Sequence, residues 1–353
     1  MSGSKALPLV LITGATGYIG AHVLQQALQA GYPVRATARP GKVDALRERY
    51  EGKVDVVGIE NLATGDYSDA LEGVGAVIHV AAPLPGRADP AGMIDGAVEG
   101  TMNILRQAAA AGIKKAVLTS STMSALNPDR LEEMYDSTKV LSEKVWNQTT
   151  REQALSEKHD DMWVYVAAKT AAEREVWAFA DAHPEIDITT INPVYVYGPF
   201  APGTKIEKGD IGGLSTAALF YQAVLPSSGP AVTIDRVAQA PPPLTVDVRD
   251  VARAHILALR APPATHVGRK RLIVAGPSMA WFDAVRHLRA AVPALAPRLP
   301  TLAEGAEAKA PLEIVKVDVS RAADVLGLKE YVDWRKTAED TAKSLLEIEK
   351  SWA

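Results

Sequence analysis

Tyr165 and Lys169 stand four positions apart in Tyr165-Val-Ala-Ala-Lys169, the interval that brings two side chains to one face of a helix. A phenol and an ammonium in one cleft suit the delivery of a proton to the alkoxide that develops when a carbonyl is reduced. Free tyrosine, with a pKa near ~10, titrates too high for work near neutral pH; a neighbouring lysine and an oxidised nicotinamide both favour the phenolate and lower it. The spacing alone is common, and on most surface helices it carries no chemistry. Its weight comes from Thr119-Ser-Ser121-Thr122, which closes an apolar run where a strand would end. A hydroxyl there can bond a carbonyl and stabilise its oxyanion. The plain alternative is a hydroxyl-rich turn.

A third motif, Gly14-Ala-Thr-Gly17-Tyr-Ile-Gly20, follows the first apolar run and opens the first helical pattern. Glycine at 14 permits a tight turn, glycine at 17 lets backbone amides approach a pyrophosphate, and glycine at 20 lets the helix pack closely on the strand. The helix N-terminus then favours phosphate charge. A plain strand-to-helix turn is the bland reading, and the position inside a strand-helix-strand unit favours a dinucleotide. Which dinucleotide is decided after the second strand, where Arg39 stands in place of the carboxylate that would select NAD. Its planar fork suits a 2'-phosphate, and Lys42 is near enough to add a charge. Two solvated surface cations would be the alternative; NADPH is favoured over NADH.

The elements that must position these groups alternate. Strands are predicted over Leu9 to Thr13, Val34 to Ala38, Val54 to Gly58, Ala76 to Val80, Lys115 to Thr119 and Asp187 to Ile191. Helical periodicity covers Tyr18 to Ala30, Met93 to Ala111 and Val164 to Ala182. The expected fold is α/β, a doubly wound parallel sheet of Rossmann type, with ligands beyond the carboxyl ends of the strands. After Pro193 the texture turns rich in proline and glycine, which predicts a smaller mixed α/β substrate lobe. The expected division is a dinucleotide domain over 1–193 with returning segments near 247–261 and 271–276. The lobe then comprises 194–246 and 277–353, ending in a helix over Thr337 to Glu349.

Composition narrows the classes. With 353 residues and 47% hydrophobic content the chain can bury a full core, and a formal charge of -4 offers no field for a nucleic-acid backbone. There are no cysteines, so disulfides, thiolate nucleophiles and cysteine-based metal sites are excluded. The seven histidines, among them His22, His79, His255 and His287, show no ligand spacing and read as structural; no metal is expected. Asp247 and Asp250 flank Arg249 at a strand-to-helix junction and read as caps and ion pairs. The apolar run Pro8 to Ile12 is too short for a signal core or membrane span. A cytoplasmic protein, monomer or homodimer, acting on a small molecule is the expectation.

Taken together, TGATGYIG, VRATAR, VIHVAAP, VEGTMNIL, LTSSTMSAL, WVYVAAKT, INPVYVYGP, VDVRDVARAH and AADVLGL make the chain resemble the extended short-chain dehydrogenase/reductase family over nearly its whole length. The likeness is to the dihydroflavonol-reductase-like branch, with its fungal aldehyde and methylglyoxal reductases. It implies NADPH-dependent carbonyl reduction with Tyr165 as acid, Lys169 on the nicotinamide ribose and Ser121 polarising the carbonyl. It also implies coenzyme contacts from Thr16, Tyr18 and Ile19 in the glycine turn, from Val80, Ala81 and Ala82, and from Pro193 and Val196. Asn192-Pro193 would pass under the nicotinamide, with Tyr195 on the substrate side and Leu84, Thr122 and Met162 lining the pocket. Asn61-Leu62 stands where many members carry an acidic residue against adenine. The charged insertion Asn127 to Asp161, with its Trp146-Asn147 pair, matches the length found in fungal aldehyde reductases. A nucleotide-sugar epimerase or dehydratase and a catalytically silent coenzyme sensor share the scaffold. Arg39 argues against the first, and the Tyr165-Lys169 pair against the second.

Overall fold

The computed structural model describes residues 6–83, 88–156, 159–208, 210, 214–225, 241–301 and 314–352. Its strands are β1 (Leu9–Thr13), β2 (Val34–Ala38), β3 (Asp55–Gly58), β4 (Val74–His79), β5 (Lys115–Thr119), β6 (Val140–Leu141), β7 (Asp187–Pro193), β8 (Tyr195–Tyr197), β9 (Thr245–Asp247), β10 (Lys270–Val274) and β11 (Lys316–Val317). Seven of them form one sheet in the order β10-β7-β5-β4-β1-β2-β3, every pair parallel. From β1 the chain runs outward through β2 and β3, then crosses back to β4, so the strand order reverses between β1 and β4. Crevices at such switch points bind ligands in open α/β sheets.

Alternation along the strands shows why both faces are covered. Val10 and Ile12 of β1 and Ala76 and Ile78 of β4 join one core with α1 (Tyr18–Gln29) and the helix Val248–Arg260. The residues between them, Leu11 and Val77, face Ile104 of the opposite layer, while Ala116 and Leu118 of β5 meet Val176 there. A parallel sheet buried on both sides needs apolar residues at odd and even positions alike. The helices in this second layer, α4 (Pro90–Ala110) and α6 (Asp161–Ala182), pack along each other. Between α1 and α4 lie the short helices α2 (Val43–Arg49) and α3 (Ser68–Leu71), and the short α5 (Arg151–Ser156) precedes α6.

The helices α4 and α6 start earlier than apolar periodicity suggests, because polar caps set the ends. Asp89 Oδ1 accepts from Gly92 N at 2.7 Å with Pro90 in the first turn, and Asp160 Oδ1 accepts from Trp163 N at 2.7 Å. In the second half, β10 returns to the sheet beside β7, whereas β9 does not: it pairs with β8 in a separate two-stranded ladder, Tyr195 opposite Thr245. The segment around 247–261 rejoins the main body through its helix alone, which packs on α1, β5 and β7. Asp247 caps that helix and pairs with Arg249 at 2.7 Å, and Asp250 pairs with Arg253 at 2.9 Å.

Candidate active site

The glycine turn is shaped by what its residues lack. Gly14 has φ +72°, and a Cβ there would lie 2.6 Å from the Ala81 amide nitrogen, so the turn sits directly against the end of β4. A Cβ on Gly20 would lie 2.0 Å from the Gly14 carbonyl oxygen. The third glycine therefore serves the turn itself, not the strand behind it. At Gly17, which caps α1 without any side-chain bond, only that same carbonyl is near, at 3.3 Å, and the remaining side is open. Exposed Thr16 and half-buried Ile19 flank this opening. Tyr18 is buried and its hydroxyl donates to the Gly198 carbonyl at 2.7 Å, so its side chain ties the turn to the second half of the chain.

Arg39 and Lys42 stand just beyond β2, both exposed, around the short turn Pro40–Lys42. Among the described residues neither side chain has a partner, which leaves two cations free beside the strand that neighbours β1. Asn61 folds its side chain back to accept from Ala63 N at 2.8 Å, and Leu62 packs against Gly100 of α4. Beyond β4, Val80 N donates to Thr13 O at 3.3 Å and Ala81 N to Thr13 Oγ1 at 3.3 Å, with Ala82 half-buried after them. A dinucleotide fits this edge: a backbone cradle closed to any Cβ at 14 and 20, open at 17, with free cations one strand away.

At the other side of the crevice the loop after β5 and the helix α6 bring three side chains together. Ser121 ends the loop after β5, Tyr165 and Lys169 occupy successive turns of α6, and the Lys169 ammonium lies 6.0 Å from the centre of the Tyr165 ring. Burial pushes the phenol up to about 12, while a hydrogen bond with Ser121 pulls it back. Burial also brings Lys169 down to about 8, opposed by the Glu173 carboxylate. The Ser121 hydroxyl accepts from Met123 N at 3.2 Å, which fixes the loop around it.

Lys169 also faces a small cavity of about 20 Å³ lined by His79, Thr119, Ser120, Glu173 and Thr190, room for a single water. His79 Nδ1 bonds Thr13 Oγ1 at 2.8 Å, its Nε2 is buried without a partner, and burial with the nearby lysine holds it neutral, down to about 3. Asn192 Nδ2 donates to the Ser121 carbonyl at 3.2 Å and to Glu173 Oε2 at 2.8 Å. Pro193 O accepts from Thr122 Oγ1 at 3.1 Å, so Thr122 is buried and bonded to the β7 end. Tyr195 is half-buried, and its phenol is pushed up to about 12 by burial with Tyr135 and Tyr165 nearby; Val196, the next residue, points the other way and is buried. Met162 is 37% exposed at the start of α6. Leu84 lies outside the described residues.

The residues that sequence reasoning did not single out are Glu173 and Arg271. Their side chains are about 1% and 2% exposed and pair at 2.9 Å, with Glu173 one turn beyond Lys169 on α6. An arginine directly before the apolar run Leu272 to Val274, and a glutamate one further turn along the Tyr165-Lys169 face, were the available signals.

The chain belongs to the NAD dependent epimerase/dehydratase family, whose model matches residues 10–274. Aldehyde reductase 2 of Sporidiobolus salmonicolor is 32% identical over 299 residues, 81% of this chain and 81% of that one. Ketoreductase azaE of Aspergillus niger is 31% identical over 357 residues, 96% and 97% of the two chains. The crystal structure of yeast methylglyoxal/isovaleraldehyde reductase Gre2 complexed with NADPH shares the fold, with a TM-score of 0.81 at 23% identity over 97% of this chain and 99% of that one.

Proposed function

We propose that this protein is an oxidoreductase that reduces an aldehyde or ketone to the alcohol with NADPH, with Tyr165 as proton donor. The observation that carries the reading is the convergence of Ser121, from the loop after β5, with Tyr165 and Lys169 of α6 at the switch-point edge of the sheet, opposite the glycine turn. The aldehyde reductase and ketoreductase relatives support the same reaction class. When bound, NADPH supplies the hydride. Gly14 to Gly20 would hold its pyrophosphate, Arg39 and Lys42 its 2'-phosphate, and the Asn61-Leu62, Val80-Ala82 and Pro193-Val196 segments would border it.

The substrate carbonyl oxygen sits between two hydroxyls. Ser121 donates to it and stabilises the negative charge that grows there, while Tyr165 gives up its proton to the same oxygen. Lys169 keeps a positive charge beside the phenol and so favours the phenolate left after transfer. Tyr195, Met162, Thr122 and Leu84 would border the substrate, a small or medium carbonyl compound of apolar character. We place the enzyme in the cytoplasm, a compartment suited to its cysteine-free chain, as monomer or homodimer. The domain division proposed is the dinucleotide unit 1–193 with the returning helix and β10, and the remainder as substrate lobe.

The test is a panel of aldehydes, diketones and ketoesters offered with NADPH to the purified protein. Loss of one NADPH per alcohol formed is expected for at least one of them. Turnover without net NADPH loss would point to an epimerase, and bound coenzyme without turnover on any of them to a sensor.

A further inference from the structure

The Lys169 ammonium is approached from several elements, and their charges can be counted among the described residues. On its own helix are Tyr165 and Glu173; from β4 comes His79; behind Thr119, His255 bonds that threonine at 2.7 Å; behind Glu173 stands Arg271 of β10. Both histidines are held neutral by burial, His79 down to about 3 and His255 to about 4. The Glu173 carboxylate is thus the one negative charge facing the amine, one turn along α6 and lining the same cavity.

That carboxylate is held with unusual completeness. It accepts from Ser120 Oγ at 2.7 Å, from Thr190 Oγ1 at 3.1 Å, from Asn192 Nδ2 at 2.8 Å, from Trp177 Nε1 at 3.3 Å and from Arg271 Nε at 2.9 Å, and the Ser124 hydroxyl also donates to it. Arg271 in turn donates to the carbonyls of Glu143 at 2.8 Å and Val145 at 2.5 Å, and its guanidinium lies 3.9 Å from the Trp146 ring centre. Asn147 donates from its backbone to Ser124 O at 2.8 Å and from its side chain to Thr170 Oγ1 at 3.0 Å. The insertion therefore closes over the pair through the Glu143 and Val145 carbonyls and the Trp146 ring, and Asn147 anchors it to Ser124 and Thr170. A buried ion pair is a poor source of stability, since apolar replacements are often as stable or more so. Its presence one turn from Lys169 calls for another reason.

We propose that Glu173, gripped by Arg271 and covered by Trp146, is a positioning residue that keeps Lys169 an ammonium beside Tyr165. This rests on the place given to Lys169 in the reaction above, and the test separates the two. In Glu173→Gln the amide keeps the shape and loses the charge. The Lys169 amine is followed by NMR in protein carrying 13C-labelled lysine, assigned through Lys169→Arg, and the pH profile of NADPH-dependent turnover is recorded beside it. The amine should lose its proton at a lower pH in Glu173→Gln, with about a tenfold weaker proton affinity, and keep its normal titration in Glu173→Asp. The basic limb of turnover should move down with it. If Glu173→Gln does not fold, Glu173→Gln/Arg271→Gln removes both charges, and the shift keeps its direction with a smaller size. An amine that titrates as in the unmodified protein in a folded, charge-free variant overturns the inference. A shifted amine with an unmoved turnover profile upholds it and removes Lys169 from the reaction.

Discussion

The two ends of the crevice are built on opposite principles. At the coenzyme end, backbone and missing side chains do the shaping: Gly14 and Gly20 leave no space for a Cβ, and Arg39 and Lys42 stand exposed, without side-chain partners among the described residues. At the reaction end, Ser121, Tyr165 and Lys169 lean on a polar network in which Glu173 and Arg271 are almost fully buried. Breaking a buried pair by removing one partner costs ~3–5 kcal/mol of stability, whereas exposed substitutions such as those at Arg39 usually stay within about 0.5 kcal/mol. Specificity can therefore change at one end with little cost to the fold. Coenzyme preference can drift through surface charges without disturbing the fold; the acid-base machinery cannot be altered without disturbing its supports.

That contrast can be sharpened by substitution at each end. Ser121→Ala removes the hydroxyl proposed to bond the reacting oxygen and should lower kcat by ~10²–10³ with coenzyme affinity preserved. An unchanged kcat in steady-state assays would take Ser121 out of the chemistry. Arg39→Ser should have a smaller and differently placed effect. Losing a charge-assisted bond of ~1.5–3 kcal/mol weakens NADPH binding by roughly 10- to 150-fold and leaves kcat and thermal stability nearly unchanged. NADH binding should hardly move, and equal losses for the two coenzymes by fluorescence titration would contradict the 2'-phosphate assignment.

Much of the first half of the molecule was legible in the residues alone. β1, β2 and β5 have the bounds anticipated for them: β1 and the centre of β5 read as short continuous apolar runs, as strands buried on both faces do, and β2 carries apolar residues at alternate positions, Val34, Ala36 and Ala38. Tyr165 and Lys169 could be placed on one helix face for the same local reason. Beyond Pro193 the strands other than β10 have two or three residues, too few for any period to register, so local pattern does not announce the β8–β9 ladder and the strand ending at Asp247 reads as part of the main sheet. The Glu173–Arg271 pair was hidden for a different reason. Its members lie 98 positions apart and meet only when β10 lies beside β7. Local pattern carries no trace of such a meeting; the signals are a charged residue at the head of a buried strand and a glutamate in register with Lys169.

The account stands or falls on the phenol of Tyr165 as the proton source, and Tyr165→Phe tests this most directly. The ring stays and the hydroxyl goes, so turnover of the best carbonyl substrate should fall by at least ~10²–10⁴, while NADPH binds with nearly the affinity of the unaltered protein. A variant that still consumes NADPH at a substantial fraction of the original rate would contradict the account.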